Sequence, residues 1–355
     1  MVSAEKAVRG AIRRVEFSKP ARIFPIVTRT STDFPSPASS SGVRLVQVTE
    51  AKDGQRIDNF LAGQLKGVPK SLIYRILRTG QVRINGKRAK PDTRIADGDE
   101  VRIPPVRIAE TQQTGTPSSA QTDRVTQAVI YEDRDFLVID KPAGVASHGG
   151  SGISFGAIEL MRAARPHDSL ELAHRLDRDT SGVLVLTRRR PALTALQALI
   201  RGNETTKQYL TLLQGRLRRA TFDVNAPLRK SVLQGGERMV RVDDEGKAAL
   251  TRFKSIEAYR DATLAEATLF TGRTHQIRVH SAHAGHPIAG DEKYGERAFN
   301  QQMRQFGLRR LFLHAARFEF AIGDRAYSFS APLAADLSAV LSALPAASVT
   351  GKNAR

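Results

Sequence analysis

The sequence HRLDRDTSG at residues 174–182 runs directly into the apolar run VLVL at residues 183–186. A polar loop that empties into a buried strand is a common location for an active site. Asp177 stands among His174, Arg175 and Arg178, and nearby cations favour the ionised form of a carboxylate, which can act as nucleophile, base or stabiliser of positive charge. A solvated turn in which Asp177 and Asp179 cap backbone amides explains these residues equally well.

Apolar runs on both sides of this loop indicate the fold class. We expect strands at residues 129–131, 136–139, 183–186 and 209–213, and helices near 155–164 and 191–201. Because strands and helices intermingle without regular strand–helix–strand alternation, residues 125–335 are predicted to form an α+β domain with a mixed, mainly antiparallel sheet. No Gly-x-Gly-x-x-Gly or Gly-x-x-x-x-Gly-Lys-[Ser/Thr] pattern occurs, so nothing points to a nucleotide cofactor.

A second polar stretch, TGRTHQIRVH at residues 271–280, has helical character. Thr274 is the predicted N-cap, and the helical period brings it onto one face with Ile277, Arg278 and Ser281. Arg278 would then lie near the apolar side, which is unfavourable unless it meets a carboxylate. We predict that this carboxylate is Asp177.

Histidines near this stretch raise the question of a metal. His275, His280, His283 and His286 match neither a His-Glu-x-x-His pattern nor a Cys/His finger, so ordinary hydrogen-bonded histidines are the better interpretation. A serine hydrolase built on Ser181 and the preceding His174 is disfavoured because no Gly-x-Ser-x-Gly elbow is present.

A third candidate is the tripeptide KQY at residues 207–209, in a predicted strand. A tyrosine in a strand is more often part of the core than of an active site. Tyr209 becomes a functional candidate only if it faces Asp177, where its ring could stack on a base.

Residues 44–106 are predicted to form a small separate domain. Two amphipathic helices precede an Asn85-Gly86 hairpin turn and a closing strand, and residues 54–104 carry 11 Lys and Arg against 5 Asp and Glu. Helices, hairpin and basic face resemble the S4 RNA-binding domain of the αL type. A solvated basic surface on a structural domain is the alternative. The candidate RNA contacts are Lys70, Arg75, Arg78, Lys87 and Arg88.

Net charge limits the class of partner. The chain has 55 Lys and Arg and 36 Asp and Glu, a formal charge of +19 that favours nucleic acid. It has no cysteine, which excludes disulfide scaffolds, Cys-ligated zinc and cysteine nucleophiles. No apolar run reaches the ~18 residues needed to span a bilayer, so we expect a soluble protein with no membrane partner.

The remaining segments have no apolar periodicity of a domain. Residues 1–43 are predicted to be a disordered leader, residues 107–124 a linker, and residues 336–355 a tail that begins with an Ala-rich possible helix. We expect a bacterial cytoplasmic protein. Because the leader is rich in Arg and Ser and poor in acidic residues, as transit peptides are, organelle targeting is the alternative.

Four motifs, in order, resemble those of the RluA-type pseudouridine synthases. They are KPAG at residues 141–144, HRLDRDTSG at 174–182, KQY at 207–209 and GRTHQIRVH at 272–280. The resemblance extends over residues 44–335 and implies a pseudouridine synthase fold for the large domain. It implies isomerisation of uridine to pseudouridine at several positions of 23S rRNA, without a metal or an organic cofactor.

The same resemblance implies roles for single residues. Asp177 is the catalytic carboxylate, as nucleophile at C1′ or as base at C2′, and Arg278 is the arginine that pairs with it. Tyr209 packs on the flipped uracil, and Arg175 fills the gap that the base leaves. His174 and Arg273 are further candidate RNA contacts.

The implied partner is 23S rRNA or a large-subunit assembly intermediate, bound by a monomer that needs no protein partner. Two other classes stay open: a non-catalytic RNA-binding or ribosome-assembly factor, and a hydrolytic nucleosidase. Intact Asp177, Tyr209 and Arg278 argue against the first. Release of free uracil would distinguish the second.

Overall fold

The computed structural model describes residues 42–347 except 66–67, 69, 107–115, 151–152 and 233–237. All but the last two residues of the predicted leader therefore lie outside the described residues. Half of the predicted linker and the end of the predicted tail also lie outside the described residues.

The N-terminal domain packs two helices against a small antiparallel sheet. The helices are α1 (Ile57–Gln64) and α2 (Lys70–Arg78). The strands are β1 (Arg44–Gln47), β2 (Arg83–Ile84), β3 (Lys87–Arg88) and β4 (Glu100–Ile103), and they lie in the order β1-β4-β2-β3. A single 3-10 turn at Glu50–Lys52 follows β1.

The apolar positions that predicted this domain form its core. Ile57 and Leu61 of α1 pack with Ile73 and Leu77 of α2 in one buried cluster. Asn85 and Gly86 between β2 and β3 have φ values of 48° and 75°, as a two-residue hairpin turn requires. The predicted pair of helices, hairpin and closing strand are confirmed.

The large domain is built on a ten-stranded sheet. In chain order its strands, together with a separate ribbon of β11 and β12, are β5 (Val129–Glu132), β6 (Phe136–Lys141), β7 (Glu171–Leu172), β8 (Ser181–Thr187), β9 (Thr206–Gln214), β10 (Thr221–Asn225), β11 (Leu228–Val232), β12 (Arg238–Val242), β13 (Leu250–Ala258), β14 (Ala262–Leu269), β15 (Leu313–Ile322) and β16 (Arg325–Ser330). The main path is β10-β13-β14-β9-β15-β8-β6-β5, while β16 pairs with β15 and β7 with β8. Only β8 and β15 are parallel among the described pairs, so the predicted mixed, mainly antiparallel sheet is confirmed.

Helices cover both faces of this sheet. They are α3 (Ser119–Thr126), α4 (Ala157–Ala164), α5 (Arg190–Gly202), α6 (Gln276–His283), α7 (Arg297–Gln305) and α8 (Ala335–Ala343). Successive residues of β6 point to opposite faces: Leu137 joins a core with α4 and α8, and Phe136 joins a core with α5. None of the helices in the described ranges is long and apolar enough to cross a membrane.

The structure differs from two predicted domain boundaries. The predicted linker over 107–124 contains most of α3, which a capping box between Ser118 and Gln121 begins. Periodicity missed this helix because Val125 is its only buried residue. At the other end, α8 is part of the core rather than of a tail, since Leu337 and Val340 are buried in it.

Candidate active site

Asp177 lies on the loop that precedes β8, in the middle of the large sheet. The hydroxyl of Ser147 holds this loop, because it donates to the Leu176 carbonyl at 2.7 Å and accepts from the Leu176 amide at 2.8 Å. Gly182 lets β8 and β15 approach each other: its φ is 109°, and a Cβ there would stand 2.2 Å from the Ala315 carbonyl oxygen. The Ser147 hydrogen bonds and the close approach of β8 to β15 therefore fix the position of the loop at the start of β8.

A buried lysine, Lys141, also holds this loop in place through hydrogen bonds. Lys141 is fully buried, and its Nζ donates to the carbonyl oxygens of Pro142 at 3.0 Å, Val145 at 2.7 Å and Arg178 at 3.1 Å. Burial lowers the pKa of Lys141 to about 7, although the charge of Asp179 opposes this shift. Three carbonyl acceptors match the three N–H groups of the ammonium form. The lysine of the KPAG motif thus ties residues 142–145 to the loop of Asp177.

Arg278 reaches Asp177, as the sequence predicts, but it has a stronger partner. Its Nη1 lies 3.4 Å from Asp177 Oδ2. Its Nε and Nη2 each donate to the Asp291 carboxylate at 2.7 Å in a bidentate pair. The predicted contact with Asp177 is confirmed, but Arg278 stands between two carboxylates, and Asp291 is the closer one.

Asp291 is the residue that sequence reasoning missed. Its side chain is 1% exposed, and the backbone amides of Lys293 and Tyr294 donate to its Oδ1 at 2.9 and 3.0 Å. Burial raises the pKa of Asp291, but the hydrogen bonds and charge of Arg278 outweigh burial and hold that pKa below its usual value. The available signal was an Asp between Gly290 and Glu292, which suggests a turn but not its partner.

The start of α6 also differs from the prediction. The helix begins at Gln276, and Thr274 makes no capping hydrogen bond to it. His275 takes the N-cap position with a left-handed φ of 54°. The buried side chain of Gln276 anchors this end instead, since its Oε1 accepts from the Arg273 amide at 3.0 Å and its Nε2 donates to the Leu250 carbonyl at 3.0 Å.

The left-handed turn at His275 brings its imidazole ring close to Asp177. Its Nε2 lies 3.8 Å from Asp177 Oδ2, and its Nδ1 lies 2.8 Å from the hydroxyl of Tyr294. Burial lowers the pKa of His275, against the opposing charge of Asp177, so the ring is neutral at pH 7. Asp177 thus faces two nitrogen atoms, one from Arg278 and one from His275.

Tyr209 faces Asp177, which was the condition for a functional role. Both residues line a cavity of about 270 Å³ together with Ile277, Arg278 and Leu313. Burial, with a contribution from the charge of Asp177, raises the pKa of Tyr209, so its phenol stays neutral. The cavity combines an aromatic ring, aliphatic side chains and one carboxylate–arginine pair.

A wider cleft of about 670 Å³ opens on the other side of Asp177. Arg178, Lys293, Arg309 and Arg310 contribute to its walls, which makes the cleft basic. Arg175 is exposed and lines both spaces. Its predicted role at the site of the extruded base stays a prediction.

His174 is engaged by the fold. Its Nε2 accepts from the Val185 amide at 3.0 Å, and its ring stacks on Phe318 with centroids 4.7 Å apart. Burial lowers the pKa of His174 to about 3, so the ring is neutral. Arg273 is exposed at the rim of the smaller cavity and donates through Nε to the Ala248 carbonyl at 3.1 Å. RNA contacts by these two residues stay predictions.

The basic candidates of the small domain lie at its surface. Arg75 and Arg78 are exposed on α2, and Lys87 and Arg88 are exposed on the hairpin. Arg88 donates to the Arg78 carbonyl. Lys70 begins α2, but its side chain lies outside the described part of the structure. Contacts of these residues with RNA likewise stay predictions.

Histidines at and after α6 make ordinary hydrogen bonds. His280 lies 2.9 Å from the Thr251 hydroxyl through Nδ1 and 2.9 Å from the Ala226 carbonyl through Nε2. His286 Nδ1 lies 2.9 Å from the Gln214 carbonyl. Over the part of the chain that the structure describes, no three His, Asp or Glu side chains are grouped so that they could hold a metal ion.

Lys207 is a second buried lysine, in the KQY motif and on the cavity wall. Burial lowers its pKa, and within the described residues no hydrogen bond or ion pair joins its ammonium group to another residue. Lys207 and Tyr209 lie two residues apart on β9 and so share a face. A buried ammonium group without a partner costs stability.

Replacing Lys141 or Lys207 with methionine is expected to change the free energy of unfolding differently at the two positions. Lys141→Met leaves three carbonyl oxygens without a donor and should lower the free energy of unfolding by about 3 kcal/mol. Lys207→Met removes an ammonium group without a protein partner and should leave that free energy unchanged or higher. Urea unfolding followed by circular dichroism measures both. Equal losses in the two variants would contradict this assignment of partners.

Comparison with known proteins agrees with this geometry. The S4 domain family matches residues 55–101, and the RNA pseudouridylate synthase family matches residues 135–283. The ribosomal large subunit pseudouridine synthase C of Escherichia coli (strain K12) is 53% identical over 282 residues, which cover 78% of this chain and 88% of that protein. The chain belongs to the RNA pseudouridine synthases. The resemblance found in the four motifs is confirmed.

Other relatives of this synthase support the same assignment. The ribosomal large subunit pseudouridine synthase C of Yersinia pestis is 51% identical over 308 residues, covering 85% of this chain and 96% of that protein. The solved structure of human RNA Pseudouridylate Synthase Domain Containing 4 has a TM-score of 0.53 at 23% identity, covering 64% of this chain and 97% of that chain. Human RNA Pseudouridylate Synthase Domain Containing 1 has a TM-score of 0.51 at 24% identity, covering 61% and 85%. These structures share the fold of the large domain.

Proposed function

We propose that this synthase converts uridine to pseudouridine at several positions of 23S rRNA, with Asp177 as the catalytic carboxylate and with base flipping. The observation that carries the proposal is the cavity that Asp177, Tyr209 and Arg278 line together. It offers a carboxylate for the sugar and an aromatic ring for the base. The relatives' names specify the ribosomal large subunit as the source of the RNA that those proteins modify.

The reaction separates charge, and the carboxylate of Asp177 can stabilise the positive part of that charge. Cleavage of the N-glycosidic bond leaves positive charge on C1′, which an ionised carboxylate stabilises. Asp177 either attacks C1′ or removes the proton from C2′. The uracil leaves as an anion and turns, and C5 then bonds to C1′. In the first route C5 displaces the Asp177 carboxylate from C1′; in the second, Asp177 returns the proton to C2′. The proton on C5 passes to solvent, and N1 takes up a proton. Arg278 Nη1 lies 3.4 Å from Asp177 Oδ2 and can donate a hydrogen bond to the carboxylate that acts in the reaction.

The position of Asp177 in a narrow cavity favours a mechanism in which the target uridine is flipped out of its stack. A uridine stacked in a helix cannot reach a carboxylate at the end of a buried strand, so the nucleotide must leave the stack. In this proposal Arg175, an exposed residue that lines both spaces, fills the vacated position, and Tyr209 packs on the uracil. Flipping costs a few kcal/mol and is easiest in loops and bulges, which structured rRNA supplies.

Binding energy would come mainly from phosphate contacts. The chain carries a formal charge of +19, and the wider cleft and the S4 domain both present arginines. Such contacts supply affinity but little sequence information. We propose that a cytoplasmic monomer binds free 23S rRNA or a large-subunit assembly intermediate without a protein partner.

A pseudouridine map tests the substrate. Unmodified 23S rRNA transcript is incubated with the protein, and carbodiimide-dependent stops of reverse transcription are mapped. We expect stops at a few discrete uridines. If none appears, the same map on large-subunit precursors decides, and absence of stops there as well would contradict the proposed substrate.

The S4 domain is expected to contribute to salt-dependent affinity. Arg75→Gln with Arg78→Gln removes two exposed charges on α2 and should weaken binding while reducing the slope of log K against log salt by about 1.4–1.8. Arg218→Gln with Arg219→Gln makes the same charge change on an exposed loop of the large domain and is the matched control. Filter binding at several salt concentrations measures both. Equal slopes for the two double variants would place the phosphate contacts outside α2.

A further inference from the structure

A hydroxyl, an imidazole and the proposed catalytic carboxylate lie next to one another in space, in a series of three side chains. Tyr294 Oη accepts a hydrogen bond from the Val240 amide at 3.0 Å. The same oxygen lies 2.8 Å from His275 Nδ1, and His275 Nε2 lies 3.8 Å from Asp177 Oδ2. The mechanism described above uses neither Tyr294 nor His275.

The hydrogen bonds in this series determine where each proton lies. A phenol has one proton, and an amide nitrogen can only donate, so Tyr294 must direct its proton elsewhere than Val240. His275 Nδ1, 2.8 Å away, can accept this proton, and in that arrangement Nδ1 itself carries none. The ring is neutral, since burial lowers the pKa of His275, and its single proton is therefore on Nε2, the atom that faces Asp177.

The backbone holds this ring in one place. His275 has a φ of 54°, in the left-handed region that few non-glycine residues adopt, Asn, Asp and His among them. Tyr294 packs edge-on against it with ring centroids 5.5 Å apart, and the Tyr294 ring also lies 5.0 Å from the Arg278 guanidinium carbon. Charged groups near the ring are Asp177, Arg278, Lys293 and Asp291.

One short turn, residues 291–294, therefore contacts both side chains whose nitrogen atoms face Asp177. Asp291 fixes Arg278 through two bonds of 2.7 Å, and Tyr294, three residues later, fixes His275. We propose that Tyr294 is a positioning residue that locks His275 in the Nε2–H tautomer, and that His275 donates this proton as a hydrogen bond to Asp177 when substrate closes the site. Hydrogen bonds of catalytic groups are often long before substrate binds and shorten in the complex.

The ribbon of β11 and β12 supplies the outer anchor of this series. Val240 lies on β12, and it packs in a small cluster with Leu228 of β11 and Val279 of α6. Exposed Arg241 lies beside it on the same strand.

This inference rests on the proposed role of Asp177, but its first test does not need activity. Nitrogen-15 NMR of histidine-labelled protein reports which ring nitrogen is protonated, and a His275→Gln sample assigns the signal among the 8 histidines. We expect His275 to be protonated on Nε2 alone in the wild type. In Tyr294→Phe the preference should weaken, because Nδ1 has lost its donor. A proton on Nδ1 in the wild type would overturn the inference.

Kinetics of the same variant give the second test. Tyr294→Phe should lower kcat about tenfold with little change in KM, the loss expected for one misoriented donor in the transition state. Tyr259→Phe removes another buried hydroxyl, one that donates to Glu257 at 3.0 Å outside both cavities, and is the control.

The outcomes separate the two proposals. If Tyr294→Phe and Tyr259→Phe have the same kcat and the same KM, the positioning role is wrong even with an active wild type. If the wild type does not modify rRNA at all, the proposed function fails, while the tautomer found by NMR still decides the geometry of His275.

Discussion

Asp177→Asn should abolish turnover while leaving the RNA affinity nearly unchanged. The substitution keeps the shape of the side chain but removes the negative charge and the nucleophilic or basic oxygen. Loss of a central catalytic group commonly lowers kcat by about 10⁴-fold or more. Single-turnover assays with excess enzyme measure the rate, and filter binding measures the affinity.

A neighbouring carboxylate provides the control for this variant. Asp179→Asn changes the same charge two residues away, on the same loop and in the wider cleft. We expect it to retain activity within about tenfold of the wild type, because Asp179 does not line the cavity of Tyr209. A rate for Asp177→Asn close to that of the wild type would remove Asp177 from its catalytic role.

Arg278→Met should destabilise the protein as well as inactivate it. The guanidinium is 13% exposed and is the bidentate partner of Asp291, which is 1% exposed. Removing one partner of a buried ion pair costs about 3–5 kcal/mol, because the other charge stays buried and unpaired. Urea unfolding at neutral pH measures the loss.

The pH dependence of this loss identifies its cause. In the wild type the pKa of Asp291 lies below its usual value, so its stabilising contribution is present above the unfolded pKa and is lost as pH falls through the folded pKa. In Arg278→Met the unpaired carboxyl should protonate more easily, so the difference in stability between wild type and variant should shrink as pH falls. A difference independent of pH would contradict the account.

A double variant separates stability from catalysis. Arg278→Met with Asp291→Asn removes both charges, while the Asn oxygen can still accept from the amides of Lys293 and Tyr294. It should recover much of the lost stability, since uncharged pairs replace buried ion pairs at little cost. Turnover should stay low, because Asp177 has lost its arginine.

Much of this site could be predicted because its residues follow strong local patterns. The apolar run at 183–186 specified a buried strand, and the polar loop before it specified where the chain leaves the sheet. The helical period placed Arg278 against the apolar side, and a buried guanidinium requires a carboxylate. Contact with Asp177 followed from that requirement and is confirmed at 3.4 Å.

What the sequence missed depends on distant or irregular contacts. The requirement for a carboxylate does not say which one, and Asp291 reaches Arg278 from a turn thirteen residues later. Thr274 looked like an N-cap, but the left-handed backbone of His275 and the bonds of buried Gln276 define the start of α6 instead. The helix α3 escaped notice because it has one buried residue and therefore no apolar stripe.

The most direct test of the central claim follows both halves of the substrate. 23S rRNA is transcribed with uridine carrying tritium at C5 and carbon-14 in the ring, then incubated with the protein. Isomerisation predicts that tritium passes to water while carbon-14 stays in the RNA and appears as pseudouridine after digestion. Carbon-14 released as free uracil would show hydrolysis of the glycosidic bond and would contradict the account.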